Sequence, residues 1–138
     1  MLSVRSLSLS VAVLDDDPEA ASLAGNVFLR LGWDVEIFVR SEPLLERMTM
    51  RRFDAYLLDW RLGEGTAEPV LEAVRRLPGG EVIPVVVLSG NLSFDDRPAD
   101  SRMADVLKRN QAPLRRKPYP IGRIAREFEG VIEARNAA

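Results

Sequence analysis

Three aspartates in succession, Asp15, Asp16 and Asp17, follow the apolar run "VAVL". Two carboxylates ~4 Å apart repel by about 1 kcal/mol in bulk water and about 4 kcal/mol at a surface-like dielectric. Such a cluster calls for solvent, a hydrogen-bonding partner or a cation. Other polar residues also close apolar runs: Asp59 ends "AYLLD", Ser89 ends "VVVLS", and Lys117 ends "PLRRK". Singly, Asp and Ser are ordinary turn and cap residues, and Asp17 reads as a helix cap. Together at one rim they support a specific chemistry. Carboxylates with open positions suit Mg²⁺, which prefers oxygen ligands and keeps several waters. A carboxylate beside such an ion can attack phosphorus. The charge spreading over the phosphoryl oxygens then needs cations and donors. The ion, the Lys117 ammonium and the Ser89 hydroxyl would supply them.

The elements that must position these groups alternate along the chain. Leu9 to Leu14 reads as a buried strand. Asp17-Pro18-Glu19 starts a helix, with Asp at the N-cap, Pro in the first helical position and an acid in the first turn. Ala20, Ala24, Val27, Phe28 and Leu31 recur at helical spacing, and Gly32 closes the helix. Val35 to Val39 is the second strand, and Ser41 caps a short helix. Ala55 to Leu58 is the third strand, ending at Asp59. A loop with Gly63 and Gly65 leads to a helix from about Ala67 to Leu77, broken by Pro78-Gly79-Gly80. Val82 to Leu88 is the fourth strand. A loop over 91–97 precedes a helix from Pro98 to about Arg109, with Asn110 suited to the left-handed position after it. Pro113 to Arg116 is a short fifth strand. Pro120 opens a last helix with Ile121, Ile124, Ala125, Phe128, Val131 and Ile132. Apolar runs without alternation are strands buried on both faces, which predicts a parallel sheet between helices. Ligands of such sheets bind outside the carboxyl ends of the strands, where the polar residues fall.

Composition agrees and excludes much else. The 138 residues suit one domain with a substantial core, and 46% of them are hydrophobic. The net charge of −2 lacks the basic excess of a nucleic-acid binder; "MRRF" and "LRRKP" are short. There is no cysteine and no histidine, which removes disulfides, thiol chemistry and the commonest zinc ligand and general base. No apolar run approaches the ~20 residues of a membrane span, and "MLSVRSLSLS" has no signal-peptide core. A cytoplasmic location is the expectation.

In this ordered set the sequence resembles the receiver domain of response regulators in bacterial two-component signalling, the CheY-like superfamily. "VAVLDDDPEAA", "FDAYLLDWRLGEG", "IPVVVLSG" and "RRKPYP" resemble its four signatures, over nearly the whole chain. The resemblance implies a flavodoxin-like, doubly wound five-stranded parallel sheet of order 2-1-3-4-5 with five helices. It implies that residues 1–138 are a single receiver domain with no output domain. Asp59 would accept a phosphoryl group from a phosphohistidine on a sensor histidine kinase or histidine phosphotransfer protein, with self-catalysed transfer and dephosphorylation. Mg²⁺ (or Mn²⁺) would be held by Asp16, Asp59 and the Arg61 backbone carbonyl, with Asp15 acting through a bound water. Lys117 would pair with Asp59 and then with the phosphoryl group. Ser89 would swing toward it, shifting the population between two packings that a downstream protein reads. The Lys117-Pro118 bond is expected to be cis.

Departures from the pattern cluster toward the fourth helix and fifth strand. Leu114 stands where an aromatic is usual, Asn110-Gln111 replaces Gly-Ala, and the segment from Ser89 to Lys117 is long, with the excess in 91–97. Gly63 replaces a Pro after the acceptor. Retained phosphorylation chemistry with an unusual output face is the expectation. Arg61 and Asn91 flank the phosphoryl position, where the family tunes hydrolysis. Two alternatives stand: a degenerate receiver acting as a phosphorylation-independent interaction module, and a haloacid-dehalogenase-like phosphatase using Asp15 and Asp17. Surface Arg and Glu on the fifth helix leave a homodimer open.

Overall fold

The computed structural model describes residues 8–63, 65–90 and 101–137. Strands β1 (Ser10–Leu14), β2 (Asp34–Phe38), β3 (Ala55–Asp59), β4 (Val85–Ser89) and β5 (Leu114–Arg116) form one sheet of order β2-β1-β3-β4-β5. Every pairing is parallel. Helices α1 (Pro18–Arg30), α2 (Ser41–Arg47), α3 (Glu68–Arg76), α4 (Ser101–Arg109) and α5 (Ile121–Ala137) connect or follow the strands. Residues β1, β3 and β4 contribute are buried throughout. Their side chains alternate between two cores. Ala12, Leu14, Tyr56, Leu58, Val85 and Val87 pack with α2, α3 and α4. Val11, Val13, Ala55, Leu57, Val86 and Leu88 pack with α1 and α5. This is why the runs are continuously apolar, and it meets the expected doubly wound architecture.

The cap chemistry of α1 is as read from the sequence. The Asp17 Oδ1 accepts the Glu19 N–H at 3.0 Å. At the other end Gly32, with φ of 90°, donates to Leu29 O, and Trp33 donates to Phe28 O, both at 3.0 Å. The Phe28 and Trp33 rings meet edge to face at 5.2 Å, completing a Schellman motif with its apolar contact.

Other boundaries differ from expectation for local reasons. Ser41 is the first residue of α2, and its cap is Arg40, which makes no side-chain cap bond. A Ser41 cap would have to accept from one of the next two or three N–H groups, and Pro43 has none. Val82 lies in a 3₁₀ turn, Gly80–Val82, and β4 begins only at Val85. That turn packs so closely on α3 that a Cβ at Gly80 would collide with the Val74 carbonyl oxygen. The left-handed position after α4 belongs to Gln111, with φ of 51°. Asn110 is buried instead and donates its Nδ2 to Val106 O at 2.8 Å. Leu31 and Val131 belong to the apolar sets of their helices yet are exposed, and Ala21 is buried. The predicted start of α4 at Pro98 and the loop 91–97 lie outside the described residues.

Tyr56 is fully buried in β3, and its hydroxyl has no well-formed hydrogen bond among the described residues. Burial pushes its pKa up to about 12, with the Phe53 backbone and nearby arginines opposing. An unsatisfied buried hydroxyl costs roughly 1–3 kcal/mol. Tyr56→Phe is therefore expected to raise the unfolding free energy by about 1 kcal/mol. A denaturant titration showing a lower midpoint for the variant would contradict this.

Candidate functional site

The acids gather where the sheet ends. The Asp15 N–H bonds to Phe38 O at 3.0 Å, so the β1–β2 ladder carries this residue inward and leaves it 7% exposed. Its Oδ1 accepts the Asp17 N–H at 3.0 Å, turning the chain into α1. Asp16 is thereby directed outward, and its Oδ2 accepts the Gly63 N–H at 2.9 Å. The three aspartates thus have different tasks: one is buried, one is latched to the loop after β3, and one caps a helix. Asp59 is the last residue of β3, in register with Leu88, and is buried. Carboxylate oxygens of Asp15, Asp16 and Asp59 lie within 4.8 Å of one another.

β5 brings the cation. The Lys117 N–H bonds to Ser89 O at 2.9 Å, which extends the β4–β5 pairing past Arg116. The Lys117 Nζ then stands 3.1 Å from Asp59 Oδ1 and 3.2 Å from Asp15 Oδ2. The Lys117-Pro118 peptide is cis, as expected. Ser89 is buried at the end of β4. Asp16, Asp59, Arg61, Gly63, Ser89, Gly90 and Lys117 line one pocket of about 390 Å³. Asn91 lies outside the described residues.

The electrostatics follow from this crowding. Burial raises the pKa of Asp59 from its ordinary 3.8 to about 6; Lys117 opposes the rise, and Asp15 and Asp16 add to it. For Lys117, burial works against the charged form, but hydrogen bonds and charge attraction from Asp59 and Asp15 outweigh it and hold the pKa above its ordinary value. One lysine faces three carboxylates, an excess of negative charge. The donor set is all oxygen, which fits a small hard divalent cation.

Sequence reasoning did not identify the loop after β3 as structured. Two-residue strands, Arg61–Leu62 and Gly65–Thr66, pair antiparallel there. Trp60 and Leu62 are buried beneath it. Gly63, with φ of 54°, presents its N–H to Asp16. The two glycines marked a turn, but nothing local tied that turn to Asp16. The phosphatase alternative loses its second acid, because the Asp17 carboxylate is committed to capping α1 on the exposed surface.

No family model and no curated protein matches the chain. Solved structures do. A CheY-like response regulator receiver domain protein from Methanospirillum hungatei JF-1 superposes with a TM-score of 0.77, at 16% identity, over 96% of this chain and 100% of that one. The Francisella response regulator 1452 receiver domain gives 0.73 at 20% identity, over 92% and 98%. Chemotaxis response regulator CheY4 of Vibrio cholerae gives 0.73 at 17% identity, over 91% and 99%. The chain has the receiver fold of response regulators. Within that receiver fold, Leu114 is half-buried against the core beneath α2, α3 and α4. Its neighbour Arg115 faces the other way, 3.3 Å from Glu127 of α5. Among the described residues no helix is long and apolar enough to cross a membrane.

Proposed function

We propose that the chain is the phosphoacceptor receiver domain of a two-component or phosphorelay system, with Asp59 as the acceptor. The observation that carries this reading is the placement of Lys117 between Asp59 and Asp15, beside a third acid and a buried hydroxyl at the strand ends. A carboxylate oxygen of Asp59 attacks the phosphorus of a phosphohistidine on a histidine kinase or phosphotransfer protein. A P–O bond forms, the P–N bond breaks, and the imidazole leaves with its electron pair. Lys117 stabilises the oxygens of the transferred group, and the Ser89 hydroxyl donates to them. Asp15, Asp16, Asp59 and the Arg61 backbone carbonyl would hold Mg²⁺ or Mn²⁺. When bound, that ion neutralises charge among the acids and on the phosphoryl oxygens.

Residues 1–138 act as one domain on this reading, a bacterial signalling switch in the cytoplasm whose downstream protein recognises the altered packing. Leu114, where an aromatic is usual, makes its output face unusual. Incubation with acetyl phosphate and Mg²⁺ is expected to add one phosphoryl group, read by intact mass, and chelation by EDTA is expected to prevent it. A chain that remains unmodified with acetyl phosphate, and also with a phosphorylated histidine kinase, would favour the phosphorylation-independent module.

A further inference from the structure

At the other end of the sheet from the acids lies a cleft of about 640 Å³ that phosphotransfer does not use. It exists because β5 is short. β5 pairs with β4 from Val87 onward. Val85 and Val86 pair with Tyr56 and Leu57 of β3 on one side and have no strand partner on the other. Pro113 ends the ladder there, since it has no N–H to offer. Ile83 and Pro84 extend the apolar wall, and Phe128 and Val131 of α5 close it.

The charges around this cleft are unbalanced in a particular way. Arg75, Arg115 and Arg135 line it, against Glu81 and Glu127. Arg115 is paired with Glu127. Arg75 is half-buried. Its Nε donates to Asn110 O at 2.7 Å, and its Nη1 donates to Gly80 O at 2.8 Å and Ile83 O at 2.7 Å. Its Nη2 reaches only Gln111 O, at 3.5 Å. Among the described residues neither Arg75 nor Arg135 makes an ion pair, although Glu81 lies close enough to be felt by Arg75. A guanidinium fixed by three carbonyls, with one edge poorly satisfied and no carboxylate of its own, is preorganised for an anion.

We propose that this cleft binds a small amphiphilic carboxylate, a medium-chain or aryl acid. Its apolar part lies between Val82 and Val131, both exposed at the cleft, and its carboxylate meets Arg75 and Arg135. The volume falls within the about 300–1,000 Å³ typical of small-molecule pockets, and the lining combines apolar side chains with arginines. A concave slot of this size suits a small ligand better than a flat protein partner.

Octanoate is the probe, with octylammonium as the charge-reversed control, titrated by calorimetry into the full chain. Octanoate is expected to bind saturably at one site with a dissociation constant on the order of 0.1–1 mM, and octylammonium at least ~10-fold more weakly. Val131 is 47% exposed, so Val131→Glu should fold normally and place a negative charge at the mouth. Val131→Glu and Arg135→Glu are each expected to weaken octanoate binding ~10-fold or more, with the ligand-free melting temperature unchanged. The proposal is overturned by the absence of saturable octanoate binding. Equal binding of octylammonium, or wild-type affinity in both variants, overturns it as well. None of these outcomes bears on Asp59.

Discussion

The Asp59→Asn chain is expected to take up no phosphoryl group from acetyl phosphate and Mg²⁺ under conditions that modify the wild type fully. An amide oxygen has little nucleophilicity compared with a carboxylate, and a phosphorylated amide is not a stable product, so the loss is of the reaction itself. The substitution leaves the fold intact on geometric grounds. Asn has the shape of Asp, and Lys117 keeps Asp15 at 3.2 Å. Intact mass is the readout, with circular dichroism as the control for folding. Asp15→Asn separates the receiver from the phosphatase reading. In a receiver it slows phosphorylation by weakening the cation site, and Asp59→Asn abolishes it. In a phosphatase that attacked through Asp15 the order would be reversed. An adduct of equal yield on Asp59→Asn and wild type would remove Asp59 from the acceptor role.

The same substitution is expected to stabilise the chain near neutral pH when no divalent cation is added. The native pKa of Asp59 is raised, from an ordinary 3.8 to about 6, chiefly by burial. Between those two values the native state binds more protons than the unfolded state. Stability is therefore fully present below about pH 3.8 and is lost as pH climbs through about 6. The full span corresponds to roughly 3 kcal/mol. Asn carries no charge at any of these pH values and escapes the loss. Urea titrations of the two proteins should diverge as pH rises from about 4 to 7.5, reaching up to about 3 kcal/mol in favour of Asp59→Asn. Saturating Mg²⁺ should narrow the gap, because it binds the native wild type and not its unfolded chain. A gap that stayed constant with pH would mean that Asp59 is not held in a destabilising environment. Burial of an acid at a cost to folding is what the proposed phosphoacceptor role requires.

Much of the fold is legible in local sequence because its physical causes are local. Continuous apolar runs such as "VVVL" mark strands covered on both faces, and helical spacing in "AASLAGNVFLR" marks what lies over them. Asp17-Pro18 and Gly32 act through bonds only two to five residues long, so the ends of α1 are where the sequence puts them. Reading weakens where a second element decides. Ser41 looks like a cap, yet Pro43 removes a donor. Asn110 looks like the left-handed residue, yet its N–H and its side chain both bond to Val106 O, which buries it and leaves the left-handed position to Gln111. Leu31 and Val131 satisfy helical periodicity and still face outward, since periodicity defines a stripe but not how wide the opposing surface is.

The candidate site divides along the same line. The sequence alone determined which residue types close each strand, and therefore that acids, a hydroxyl and a lysine share the carboxyl edge of a parallel sheet. Only the tertiary structure decided the distances. Lys117 and Asp15 are 102 positions apart, and strand register brings them to 3.2 Å. The division of labour among three adjacent aspartates is likewise tertiary, because it depends on Phe38, Gly63 and Lys117 arriving from three other elements. The arginine-lined cleft is tertiary too. It results from the length of β5 relative to β4 and from the reach of α5, quantities that packing sets and no single segment encodes.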